Sequence, residues 1–178
     1  MKKFPVLFLM IWLLSGCSSK LDWHQTEDFE AHPVLTMDLF HTEIRGDHFY
    51  PNGVPLMEIH DTIPFKAFKE KHVKDGLQKM VYYFHVKNEL PSSFKGTIEF
   101  LKGDNQVISS FEAIIQPGTP QNPFVHEFRY TIIKNNTPEI VLTENLAVSF
   151  QRRDSTDISS APGLLKVNSK GDFYVVIQ

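Results

Sequence analysis

The sequence predicts an all-β fold: an antiparallel immunoglobulin-like β-sandwich with at most one short helix. Three observations predict it. Apolar and polar residues alternate at period two through most of the chain, and many of the fifteen phenylalanines fall at every second position. Two stretches place turn residues between such runs, as hairpins do. Seven or more strand-like runs recur at spacings of about 8–12 residues, the rhythm of a sandwich.

The chain begins differently. Lys2 and Lys3 precede an apolar stretch of eleven residues, Phe4 to Leu14, broken only by Pro5. A basic start, a short apolar run and small residues at its end describe a secretory signal peptide over residues 1–16. The run is too short for a permanent membrane span, which needs about 20 apolar residues. It ends in Leu14-Ser15-Gly16-Cys17, and Cys17 is the sole cysteine. These four residues resemble the lipobox of bacterial lipoproteins. The resemblance implies cleavage between Gly16 and Cys17, a diacylglycerol on the Cys17 sulfur, and acylation of the new amino terminus. More than one chain gives a lasting hold, since each buried CH₂ contributes about 0.8 kcal/mol and one acyl chain binds only marginally. Ser18 stands where an Asp would signal retention in the inner membrane, so the resemblance favours the outer membrane, lipid-anchored, facing either the periplasm or the exterior. At large, the chain resembles small outer-membrane lipoproteins that carry a sandwich domain.

Residues 17–32 read as an acidic tether, with Asp22, Glu27, Asp28 and Glu30 around two isolated aromatics, Trp23 and Phe29. Residues 33–178 form the sandwich domain. "VLTMDLFH" turns Leu35, Met37 and Leu39 inward. "PNGVP" is a loop. "PFKAFKEKHVKDGLQKM" has Phe65, Phe68 and Val73 near helical spacing, with Pro64 suited to a first turn and Gly76 to the end. "MVYYFHV" groups Met80, Tyr82, Phe84 and Val86. "GTIEFLKGDNQVISSFEAII" is a hairpin around residues 102–105, with Ile98, Phe100, Val107 and Phe111 inward. "QPGTPQNP" is a second loop. "HEFRYTII" groups His126, Phe128, Tyr130 and Ile132 with Phe124 before it, and "LAVSFQRR" groups Leu146, Val148 and Phe150. "GLLKVNSKGDFYVVIQ" reads as another hairpin: Leu165 and Val167, a turn over residues 168–171, then Phe173, Val175 and Ile177 on a last strand paired inside a sheet. The stretch "VYYFHVKNELPSSFKGTIEFLKGDNQVI" also resembles accessory sandwich domains of secreted bacterial proteins, which supports the architecture alone.

Removing residues 1–16 takes Lys2 and Lys3 from the 18 Lys and Arg and none of the 21 acids. The mature chain is therefore mildly acidic, which argues against nucleic acid as a partner. With Cys17 consumed, no disulfide is available and the fold rests on its own core. Of eight histidines, His24, His32, His41, His48 and His60 crowd the first half at spacings of 8, 9, 7 and 12 residues. None of these spacings sets two rings one helical turn, or two strand residues, apart, so neither metal nor cofactor is expected. "HEFRY" has Tyr130 where the zinc-protease motif needs a second His, and it lies in a strand pattern where that motif needs a helix. No Gly-x-Ser-x-Gly elbow occurs. Glu99, Glu112 and Glu127 read as outward strand residues rather than paired catalytic acids. Asp61-Thr62-Ile63 and Asp154-Ser155-Thr156 resemble an O-glycosylation acceptor of bacterial envelope proteins.

The expectation is a non-catalytic accessory, scaffold or interaction subunit of a cell-envelope assembly, held to the membrane by its lipid and partnered by an outer-membrane protein. The alternative is a surface glycan- or nutrient-binding lipoprotein, with Tyr50, Tyr83 and Tyr174 as the stacking candidates. An envelope hydrolase stands third.

Overall fold

Among the described residues, eight strands follow one another with little helix between them. The computed structural model describes residues 30–177, and Gly16, Cys17, Trp23 and Phe29 lie outside that range. The strands are β1 Val34–Arg45, β2 Glu58–Pro64, β3 Leu77–Asn88, β4 Phe94–Leu101, β5 Val107–Ile115, β6 Phe124–Ile133, β7 Asn145–Arg152 and β8 Leu164–Val175. One helix, α1 Lys71–Gly76, precedes β3. His32–Ile177 forms one compact unit.

Two four-stranded antiparallel sheets face each other, ordered β1-β8-β3-β6 (sheet I) and β2-β7-β4-β5 (sheet II). The expected sandwich is therefore present. Its connectivity adds what alternation cannot reveal: every step in the chain except β4 to β5 crosses from one sheet to the other. This is the double Greek key of a jelly roll.

Burial follows strand parity. β3 turns Met80, Tyr82, Phe84 and Val86 to the interior, all fully buried, and they meet Ile98 and Phe100 of β4 and Val148 and Phe150 of β7. The rings meet at angles that suit their quadrupoles. Tyr82 lies edge-on to Phe100 at 5.8 Å, and Phe84 stacks on Phe150 at 6.3 Å. Each such side chain contributes about 1.5–3 kcal/mol by leaving water, so this aromatic layer is the principal stabilising element of a body without disulfides.

The first hairpin forms as expected. Asn105 takes φ +64° and its N–H donates to the Lys102 carbonyl at 2.9 Å. Val107, however, is 47% exposed rather than inward, because the β4–β5 register shifts beside it.

The second hairpin does not form. β8 runs unbroken through residues 168–171, with β1 on one side and β3 on the other. Its inward set is Leu165, Val167, Ser169, Gly171, Phe173 and Val175, all buried. Ser169 is tolerated because its hydroxyl donates to the Tyr82 hydroxyl at 2.7 Å. Gly171 suits its place, since a Cβ there would lie 3.0 Å from the Phe173 ring and press on it. Ile177 lies beyond the strand and is 38% exposed.

The helical stretch is also shorter than its spacing predicts. Pro64 closes β2 instead of opening a helix, a 3-10 turn spans Ala67–Lys69, and α1 occupies one and a half turns. Phe65, Phe68 and Val73 are nevertheless buried against the core.

Candidate functional site

The two sheets do not close against each other along β1 and β2. β1 carries a bulge between Asp38 and Phe40, which brings Leu39 and Phe40 both against the core and re-aims the rest of the strand. Phe40 and Ile44 of β1, Ile59 and Ile63 of β2, and Val148 and Phe150 of β7 form the apolar floor of a cleft of about 300 Å³. His41, Thr42 and Glu43 of β1, His48 of the following 3-10 turn, and His60 and Asp61 of β2 form its rim. Three of the eight histidines thus meet at one place.

Three of the rim's six polar residues are already engaged. His41 Nδ1 pairs with the Asn168 side chain. Glu43 accepts from the Lys166 ammonium at 2.9 Å, and that hydrogen bond, with the lysine's charge, holds the Glu43 carboxyl below its ordinary value. Asp61 Oδ1 accepts the Thr62 N–H at 2.7 Å. Among the described residues no group of three His, Cys, Asp or Glu is placed to hold a metal ion. What the cleft offers is mainly apolar area, framed by polar groups of which His41, Glu43 and Asp61 are held within the fold, and this suits recognition by shape and burial.

The three tyrosines do not converge. Tyr50, in the loop after β1, serves the fold. Its hydroxyl accepts Arg152 Nη1–H at 2.9 Å and the Ile158 N–H at 3.3 Å. Arg152 is buried, its guanidinium carbon 5.3 Å from the Tyr50 ring centre, and its other terminal nitrogen donates to the Thr156 carbonyl. Tyr83 and Tyr174 do share the outer face of sheet I, as parity predicts. Their rings carry cations instead of open faces: Lys79 sits 3.9 Å from the Tyr174 centroid, and Lys170 and Arg129 sit 4.7 and 5.7 Å from that of Tyr83. Val81, between them on that face, is fully buried. Partial burial, then the Asp172 carboxylate, push the Tyr83 hydroxyl upward.

One end of the sandwich is locked by side chains. Buried Asn88 donates to the carbonyls of Ser92 at 2.9 Å and Gln116 at 2.8 Å, and accepts the Leu90 N–H at 3.0 Å. Gly118 passes so close that a Cβ would lie 2.0 Å from the Asn88 carbonyl oxygen. Asp154 accepts from the Ser92 hydroxyl, the Ser93 N–H and hydroxyl, and the Thr156 N–H. Burial raises its carboxyl, but these donors outweigh that and hold it at about 2. Thr62, Ser155 and Thr156, the hydroxyl residues of the two acceptor-like triplets, are exposed.

Ile59 and Ile63 escaped notice in the sequence because Asp61, on the same face, interrupts their alternation. The signal was a five-residue repeat too short to separate a strand from a loop.

No family model matches the chain, and no curated protein matches it. Among solved structures it is similar to a presumed secreted protein of Parabacteroides distasonis, at 14% identity and TM-score 0.48, over 65% of this chain and 37% of that one. It is also similar to infectious bursal disease virus, Gx strain, at 9% identity and TM-score 0.41, over 81% and 32%. A structure of desmodium yellow mottle tymovirus gives 6% identity and TM-score 0.37 over 83% and 90%. The chain spans about a third of the length of the first two. No helix among the described residues is long and apolar enough to cross a membrane.

Proposed function

We propose that this chain is a lipid-anchored outer-membrane lipoprotein that acts by contact, as an accessory or scaffold subunit of a cell-envelope assembly, and that it catalyses nothing. The cleft between β1 and β2 carries the reading: an apolar floor of six side chains, with His41, Glu43 and Asp61 of its rim held by partners within the fold. Such a surface gains free energy by taking an apolar side chain of an outer-membrane protein partner, at about 25 cal/mol per Å² removed from water. Leu14-Ser15-Gly16-Cys17 supports the address, and Ser18 supports the outer membrane. The mild acidity of the mature chain supports a protein partner over nucleic acid.

The test is affinity capture of the full chain from membranes in mild detergent. A stoichiometric membrane-protein partner is expected with the parent chain and is lost with Ile63→Asp, which puts a charge on the cleft floor. Palmitate is expected to label the parent and not Cys17→Ser, which leaves the membrane fraction. A parent chain that captures no partner and binds a small ligand tightly overturns the reading.

A further inference from the structure

Sheet I ends at β6, and among the described residues no strand pairs with its far side. An exposed, straight edge strand is a template for pairing unless something blunts it. β6 has ten residues, no proline, no glycine, and no bulge in its register with β3. Its core-facing side chains are incompletely covered. Phe124, Phe128 and Tyr130 are half-exposed and His126 is exposed. Their rings form a strip: Phe124 to His126 at 6.0 Å, His126 to Phe128 at 4.5 Å, with Phe111 of β5 at 6.3 Å from Phe128 and 5.3 Å from Tyr130. A further strand added beside β6 would cover this strip.

The other face of β6 says what that strand is. It presents Glu127 and Arg129 on either side of Phe128, and neither has an ion-pair partner among the described residues. We propose that the occupant is a second copy of this chain, paired antiparallel through β6 about a two-fold axis at Phe128. In that register Glu127 faces Arg129 of the second copy, and Arg129 faces its Glu127. On the core side, His126 faces Tyr130 and Phe124 faces Ile132. Sliding the axis to residue 127 sets Glu against Glu, and sliding it to residue 129 sets Arg against Arg. Moving it between residues puts core-facing side chains opposite outward ones. A closed two-fold pair needs a self-complementary patch, and a charge pattern centred on one residue supplies it. The product is a continuous eight-stranded sheet, β1-β8-β3-β6 joined to β6-β3-β8-β1. This inference does not depend on the cleft or on its partner.

Two measurements on the full chain in detergent test it. Oxidation of a mixture of Glu127→Cys and Arg129→Cys chains should give a mixed disulfide dimer, since directly opposed residues have Cβ atoms about 4.5–5.5 Å apart. Each variant alone, and the parent with its single Cys17, should give little. Sedimentation equilibrium should show the parent dimeric, Glu127→Arg weaker by about tenfold in dissociation constant, and Glu127→Arg/Arg129→Glu restored. A monomeric parent, no preference for the mixed disulfide, a Glu127→Arg chain that dimerises as the parent does, or a foreign peptide seated on β6 each overturns the proposal.

Discussion

The two long sides of the sandwich are both incompletely closed, and they differ. Along β1 and β2 the edge is bulged, followed by 3-10 turns, and opens into a concave cleft with an apolar floor. Along β5 and β6 the edge strand of sheet I is unbulged, and its aromatic strip is half-exposed. A bulge bends a strand and ends its usefulness as a pairing template, whereas an unbulged strand keeps its free backbone donors and acceptors in line. On the two proposals above, one side receives a side chain and the other a strand.

Phe84 ties the two sides together. Its ring lies 6.5 Å from Phe40 on the cleft side and 6.2 Å from both Phe111 and Phe128 on the strip side. Phe84→Ala should therefore have the largest effect, about 4 kcal/mol in a denaturant melt, with faster amide exchange along both β1 and β6. Exchange that rises along one side alone would show the two sides to be independent.

Next is the interior between them. Ser169→Ala leaves the buried Tyr82 hydroxyl without its partner and should cost about 2 kcal/mol. Ser169→Ala/Tyr82→Phe removes both polar groups and should recover most of that. Non-recovery would mean that the hydroxyl pair is not what keeps β8 continuous.

The locked end contrasts with both open sides. The Asp154 carboxyl sits at about 2, below its ordinary 3.8. A carboxyl lowered by folding adds stability that is complete above about pH 4 and lost as pH falls through its folded value. Asp154→Asn should cost about 1 kcal/mol at neutral pH and flatten the stability profile between pH 4 and 2. A melt whose acid dependence is unchanged would remove Asp154 from the lock.

Smallest is the effect of Glu127→Arg on the isolated fold, within about 0.5 kcal/mol, since Glu127 is exposed and, among the described residues, without an ion pair. A larger loss would mean that β6 needs this carboxylate for its own folding, and it would blur the distinction between the sides.

Much of the architecture was legible because burial here follows parity. β3, β6 and β7 each show their inward face in sequence, and the β4–β5 turn announces itself through Asn105. β8 misled because its two small inward residues, Ser169 and Gly171, look like a turn unless Tyr82 and the Phe173 ring are known to lie against them. The cleft was illegible for a related reason. Its floor draws on β1, β2 and β7, and only the crossing connections of the jelly roll bring those strands to one side. Tyr83 and Tyr174 point outward as parity predicts, yet the cations over their rings come from β3, β6 and β8, which no local pattern reveals. His126 falls on the core-facing side of β6, but an edge strand leaves that side open.

The division of labour between the two sides is tested most directly by one comparison: quantitative capture of the membrane partner, and of a differently tagged second copy, by full-length Ile63→Asp and Glu127→Arg chains in mild detergent. Ile63→Asp is predicted to lose the membrane partner and keep the second copy, and Glu127→Arg to do the reverse. If both variants lose both, or neither loses either, the two sides do not carry separate contacts.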